Sequence, residues 1–427
     1  MRKYAKNADN MKIERPIYLQ KLIDRKNNGM VKIITGMRRC GKSYLLFNLF
    51  ADYLKSEGTD DQHIIAIDLE NMYNERLREP MALLQHIDEQ VQDTNAYFVL
   101  IDEVQLLSRF EEVLNTLMKR PNMDVYVTGS NARFLSKDVI TTFRGRGDEV
   151  RVHPLSFQEY MSAQTDTTFI ERHLNDYLRL GGLPQTLTMQ SEQQKRDYLQ
   201  QLFLNTYLLD IKERYDIRND DDLEELIDIV ASSIGSLTNP TKIANTFKSV
   251  KQSNIARDTI KNYLDYMQDV FMIEKSVRYD IKGRRYIDTP VKYYFDDLGL
   301  RNARLNFRQT EAGHLMENLI YNELRLRGYS VDVGQVIVNT KNGEGKSERK
   351  ILEVDFVCNQ GDQRIYIQSA FAMDSDAKEN QELASLRKID DSFQKVVIVG
   401  GIQPTYRNEE GFLIMNIYDF LLGKVEL

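Results

Sequence analysis

The spacing of apolar residues changes along this chain, and each change marks a region. From Val31 to Val152, short apolar runs alternate with amphipathic stretches. Val31–Thr35, His63–Leu69, Tyr97–Ile101 and Asp124–Thr128 have strand length and little polar interruption. Between them, Ser43 to about Leu54, residues 79–93 and Phe110–Met118 carry apolar side chains at helical spacing. Residues 13–26 predict a short helix ahead of the first strand. Pro16 lies in its first turn, and Ile17, Leu19, Leu22 and Ile23 share a face. Val150–Val152 offers a last strand. Strands alternating with helices predict an α/β fold, a parallel sheet covered on both faces.

Beyond Pro154 the pattern becomes mostly helical up to about residue 235. Residues 238–290 then read as helix, turn, helix, hairpin. In the first helix Ile243, Ala244 and Phe247 face inward. In the second, over 255–270, Ile260, Tyr263, Leu264 and Met267 do so, leaving Arg257, Asp258, Lys261 and Asn262 outward. The hairpin carries Arg278, Lys282, Arg284 and Arg285. This is a winged-helix pattern, and its outward set would face a DNA groove. From Val291 strands and helices alternate again, around a polar, Gly-containing stretch at 339–350 that reads as a hairpin loop. The expected domains are therefore 1–155, 156–235, 236–290 and 291–427.

Composition narrows the class. The 427 residues are 42% hydrophobic and 28% charged, an ordinary balance for several packed cores. With only Cys40 and Cys358, a disulfide framework and a Cys-rich zinc site are both excluded. Few cysteines fit a reducing compartment, and the charged N-terminus does not read as a secretion signal, so a cytoplasmic location is expected. No apolar run approaches the ~20 residues of a membrane span, so no membrane role is expected. The net charge of −7 is uneven: residues 1–43 carry +9 and the rest −16. Residues 236–290 carry a net +4, mild for a DNA binder. A winged helix of that charge also suits a protein contact, and both partners stay open.

The clearest chemistry lies after the first strand. Gly36-Met37-Arg38-Arg39-Cys40-Gly41-Lys42-Ser43 fits G-x-x-x-x-G-K-[ST] between a predicted strand and a predicted helix, which Tyr44 continues. Glycines at the two ends let successive N–H groups surround a polyphosphate, and the helix adds its positive end. Lys42 is expected to neutralise β- and γ-phosphate oxygens of ATP, and the Ser43 hydroxyl to ligate Mg²⁺. Tyr97–Ile101 then delivers Asp102 and Glu103, 60 residues after Lys42. Asp102 is the expected second Mg²⁺ ligand and Glu103 the base that polarises the attacking water. After the fourth strand, Asn131 or Ser130 could hold that water, or simply cap a helix. Arg144 or Arg146 could act as an arginine finger, in cis or from a neighbouring copy in a homo-oligomer, or be a solvated basic turn. These residues predict an ATP hydrolase. A scaffold that binds ATP without turnover is the weaker reading, because Glu103 would then have no task.

In the C-terminal region, Glu317 on a helix, Asp355 on a strand and Gln368 on the next strand follow the order of PD-(D/E)xK nucleases. The region resembles that fold, but Gln368-Ser369-Ala370 stands where Glu-x-Lys belongs. One anionic metal ligand and the lysine are missing, so an inactive relative is expected and an ATP-gated nuclease is the alternative. The whole chain resembles a family of bacterial and archaeal ATP-binding proteins with an AAA-type P-loop core, a winged helix and a C-terminal nuclease-like domain. The resemblance rests on Arg15-Pro16-x-Tyr18-Leu19, Gly36–Ser43, Leu100-Ile101-Asp102-Glu103-Val104-Gln105 and Thr128-Gly129-Ser130-Asn131. It rests also on Pro154-Leu155-Ser156-Phe157-x-Glu159-Tyr160 and Tyr177-Leu178-Arg179-Leu180-Gly181-Gly182-Leu183-Pro184. It implies ATP binding and hydrolysis, acting as a switch or motor on the appended domains.

Overall fold

A computed structural model describes residues 12–129, 146–217, 220–250, 255–308, 311–341 and 347–427. The chain divides into two compact units. One is Met1–Pro154 with Leu183–Thr188 and Asp269–Phe271. The other is Leu155–Gly182, Met189–Gln268 and Met272–Leu427.

The first unit is built on five parallel strands, β1 (Val31–Thr35), β2 (Ile64–Asp68), β3 (Tyr97–Asp102), β4 (Met123–Thr128) and β5 (Gly147–Arg151). Their order is β2-β3-β4-β1-β5. The inner strands β1 and β3 are buried along their whole length, which is why they read as largely apolar runs. Edge strand β2 alternates instead. The core between the sheet and helices Pro80–Gln90 and Phe110–Met118 includes Val99, Ile101, Leu83, Ile87, Leu114 and Leu117. Lys32 is the second residue of β1, with its ammonium buried; Asp124 on β4 pairs with it, and the Tyr126 hydroxyl donates to the same carboxylate at 3.0 Å.

In the second unit, helices Phe157–Ser162 and Glu192–Leu202 begin with reciprocal caps, Ser156 with Glu159 and Ser191 with Gln194. Helices Asp220–Ser232, Pro240–Val250 and Arg257–Asp269 lead into hairpin β6 (Ile273–Asp280) and β7 (Arg285–Phe295). Then come helices Leu298–Arg304 and Ala312–Leu326, β8 (Ser330–Lys341), β9 (Ser347–Gln360), β10 (Gln363–Ala370), β11 (Gln394–Val399), β12 (Tyr406–Arg407) and β13 (Leu413–Asn416). One eight-stranded sheet holds β12-β13-β11-β10-β9-β8-β6-β7.

That sheet corrects the expected boundary at Pro290, which falls inside β7. The hairpin is not a free wing closing one domain: β6 runs parallel to β8, pairing Arg278 with Val333 and Asp280 with Gln335. Pro290 is tolerated because β7 is the sheet edge, where a missing N–H costs no ladder bond. Thr238 also bridges to Val291 of β7, tying the helical segment to the same strand.

The Gly181-Gly182 motif has a packing role here. Gly181 has φ +74°, and a Cβ there would strike the Asp297 carboxylate; a Cβ on Gly182 would strike the Leu155 carbonyl. Asp297 accepts from Gly182 N–H at 2.8 Å and caps helix Leu298–Arg304 by accepting from Leu300 N–H at 2.9 Å. Burial pushes this carboxyl up to about 6, and the backbone N–H groups of Leu300 and Gly182 pull it back. A folded-state value above the unfolded ~4 means that the folded chain holds the proton more tightly, so stability falls as pH rises from about 4 to about 6. Asp297→Asn should flatten that slope, which approaches about 1.4 kcal/mol per pH unit, while costing about 1–3 kcal/mol at neutral pH for the amide left without an acceptor. Urea midpoints across the window test both parts.

Candidate functional site

The loop Gly36–Ser43 leaves the C-terminal end of β1 and enters a helical turn at Lys42–Tyr44, continued by Leu45–Phe50 in π-helical form and Ala51–Ser56 in α-helical form. Three of its residues have positive φ: Gly36 at 135°, Arg39 at 65° and Gly41 at 100°. A Cβ on Gly36 would collide with the Val152 carbonyl oxygen, so glycine is required by close approach as well as by conformation. Such a run of turns points successive N–H groups to one side, an anion cradle. Lys42 is buried, and its ammonium donates to the Gly36 and Met37 carbonyls at 3.0 Å each, inside the loop it belongs to. Met37 and Cys40 are buried supports, whereas Arg39, Ser43 and Tyr44 are exposed.

The end of β3 lies beside β4, and the two strands share a small polar network. Asp102 is buried and accepts a hydrogen bond from the Thr128 hydroxyl. Burial pushes its carboxyl above the ordinary aspartate range; the hydroxyls of Thr128 and Ser43 pull it down, and Glu103 and Asp68 push it up again. Glu103 has left-handed backbone, with φ 51°, and its N–H donates to Thr128 Oγ1 at 3.1 Å. The Gln105 amide donates to the Glu103 carboxylate. Ser43 and Asp102, separate motifs in the sequence, lie near enough for the Ser43 hydroxyl to act on the Asp102 carboxyl.

Thr128 and Gln105 stand in motifs that the sequence offered, but it gave neither a task in the site. Thr128 matters because the strand order sets β4 against β3. Ser130, Asn131 and Arg144 lie outside the described residues. Arg146 does not suit a cis finger. It directly precedes β5, and Gly147 pairs with Val31, the first residue of β1. It therefore lies at the sheet edge opposite the loop, with about 13 Å of strand between.

In the second unit, Glu317 and Asp355 both lie near a residue that the sequence did not single out. The Lys292 ammonium, buried, lies 2.8 Å from Glu317, 2.7 Å from Glu353 and 3.8 Å from Asp355. The Tyr294 hydroxyl donates to Glu317 at 2.7 Å, and Ser369 N–H to Asp355 at 2.8 Å. Burial alone would lower the Lys292 pKa, but Glu317, Asp355 and Glu353 outweigh it and hold it above the ordinary lysine range. Burial and the Glu317 charge raise Asp355, against the pull of Lys292. Ala370 still leaves the Glu-x-Lys position without its lysine, and the ammonium beside these acids comes from β7 instead. The residues still do not fit a divalent ion, because a fixed ammonium already occupies the centre of the carboxylates and Gln368 adds no charge.

The basic wing is also rearranged. Arg278 is buried and donates to Gln335; Lys282 lies 3.4 Å from Asp390 and Arg285 3.7 Å from Asp280. Arg257, Asp258, Lys261 and Asn262 are exposed, and Ile260, Tyr263, Leu264 and Met267 buried. No helix among the described residues is long and apolar enough to cross a membrane.

Comparison with known proteins follows the same division. An AAA domain family matches residues 28–161, and a domain of unknown function matches residues 171–311. An uncharacterized protein of Haemophilus influenzae is 32% identical over 416 residues, 96% of this chain and 98% of that one. The uncharacterized protein MJ1544 of Methanocaldococcus jannaschii is 27% identical over 86% of this chain and 84% of its own length. Among solved structures, the Aeropyrum pernix ORC1 protein in complex with DNA covers 70% of this chain and 93% of its own. Its identity is 12% and its TM-score 0.28, too low to support an inference. Through its near full-length likeness, the chain belongs to one family with the Haemophilus influenzae protein, and its residues 28–161 are an AAA domain.

Proposed function

We propose that the protein is a Mg²⁺-dependent ATPase whose first unit is the nucleotide-hydrolysing part. The observation that carries this reading is the phosphate loop, with three positive-φ residues around the buried Lys42, beside the acidic pair Asp102 and Glu103 that Thr128 ties together at the end of β3. The Ser43 hydroxyl and the Asp102 carboxylate are the donor set that would hold one Mg²⁺. The loop's positive-φ turns and buried Lys42 fit a polyphosphate. Bound Mg²⁺ would neutralise phosphate charge. The chain's own residues do the rest. Loop amides from Met37 to Ser43 hold phosphate oxygens; Lys42 exchanges its two carbonyl partners for phosphate; Glu103, held by Gln105, takes a proton from water. Thr128 fixes both acids, through Asp102 Oδ1 and the Glu103 amide. A part for Arg146 would require a second copy of the chain. The test is steady-state ATPase with Mg²⁺ or EDTA. No turnover above that of Lys42→Ala, in protein that binds ATP, would leave a nucleotide-binding scaffold.

In this reading the second unit is the part on which ATP state acts, through its helical segment and a nuclease-like sheet without nuclease activity. DNA binding through the exposed face of helix Arg257–Asp269 is part of this reading. Arg257→Ala with Lys261→Ala should weaken duplex DNA binding across sequences. The log–log salt slope should fall by up to about 0.9 for each phosphate that these side chains no longer neutralise. Arg278→Ala should leave the slope unchanged, since that side chain is buried against Gln335. Titrations at several salt concentrations decide; an unchanged slope in the double variant favours a protein partner for this face.

A further inference from the structure

The Arg15-Pro16-x-Tyr18 motif has no place in the chemistry above, yet it touches the phosphate loop. Arg15 is buried just ahead of helix Pro16–Ile23. Its guanidinium lies 4.5 Å from the Tyr18 ring centre. One terminal nitrogen donates to the Cys40 carbonyl at 2.9 Å; the other donates to the carbonyls of His153 at 2.8 Å and Pro154 at 3.4 Å. The Tyr18 hydroxyl accepts from His153 N–H at 3.0 Å. The Cys40 thiol donates to the Val152 carbonyl at 3.4 Å, the same oxygen that a Cβ on Gly36 would strike. Residues 152–154 are thus a backstop for the loop, and Arg15 is the clamp joining the two.

We infer that Arg15 is a positioning residue of the nucleotide site: by holding the Cys40 carbonyl outward it aims the Gly41 N–H into the phosphate cradle. The inference rests on the nucleotide reading of that loop. A trans peptide is planar, with its C=O and N–H pointing in opposite directions. A carbonyl fixed on a buried guanidinium therefore fixes the next amide on the far side. Gly41, at φ 100°, has no Cβ to resist other orientations, so an outside anchor is needed. Only a planar fork reaches both carbonyls at once; a lysine in this position keeps the charge and loses the bridge.

The test uses the full chain as wild type, Arg15→Lys, Arg15→Ala and Lys42→Ala. ATP and ADP dissociation constants, KM and kcat are measured, with and without low millimolar guanidinium. Both Arg15 variants should bind ATP and ADP about tenfold more weakly, the scale of one charge-assisted hydrogen bond. KM should rise by a similar factor while kcat changes less than about threefold, as for lost ground-state binding. Guanidinium should restore part of the affinity of Arg15→Ala and none of that of Lys42→Ala. Wild-type affinity in both Arg15 variants would overturn the inference and leave Arg15 a brace of the fold. So would a loss in Arg15→Ala that guanidinium cannot repair while Arg15→Lys binds normally, since charge alone would then suffice. Failure of the wild type to bind ATP would instead remove the nucleotide reading itself, and the inference with it.

Discussion

Glu103→Gln is expected to slow ATP hydrolysis by at least ~10²-fold while leaving ATP binding in place, the scale of losing general-base help. The amide keeps the size of the side chain, so the change isolates the proton acceptor from the shape of the site. Gln105 donates to the carboxylate and can still donate to the amide oxygen, so the orientation survives. Lys42→Ala should fail in the opposite way. It removes a buried ammonium from the centre of the loop, and with it tight binding of the phosphates. Fluorescent-nucleotide titration with single-turnover hydrolysis separates the two. Normal single-turnover rates in Glu103→Gln would show that another group activates the water.

The first unit was legible because its signals are local. An apolar strand, a glycine-bounded loop and a helix follow one another without interruption, and the acidic pair stands at the end of its own strand. Thr128 was not legible, since its role depends on β4 lying between β3 and β1. Sequence reading went two and three residues further, to Ser130 and Asn131, for a polar side chain to hold the water. Arg146 was attractive as a charge near a glycine, and strand direction removes it from the loop. In the second unit the helices and the hairpin were readable from periodicity, but their pairing was not. No local signal says that β6 lies parallel to β8, or that Pro290 stands on an edge strand.

Lys292 is the largest omission and gives the second strong expectation. It lies 63 residues before Asp355 in the sequence, on a strand read as the end of another domain. In the fold it is the counter-charge of Glu317, Glu353 and Asp355. Lys292→Met should therefore cost about 3–5 kcal/mol of stability, the scale of leaving buried carboxylates without their partner. The same change opens a set of three acids to a small cation. Millimolar Mn²⁺ or Mg²⁺ should raise the thermal midpoint of Lys292→Met by several degrees and leave that of the wild type unmoved. The wild type should also show no Mg²⁺-dependent cleavage of single- or double-stranded DNA, because the ammonium is committed to ion pairs and Gln368 adds no charge. Cleavage by the natural protein that Asp355→Ala abolishes would reverse this assignment. Lys292 would then be an activating lysine delivered from a different strand, and the ATP-gated nuclease would become the better description of the chain.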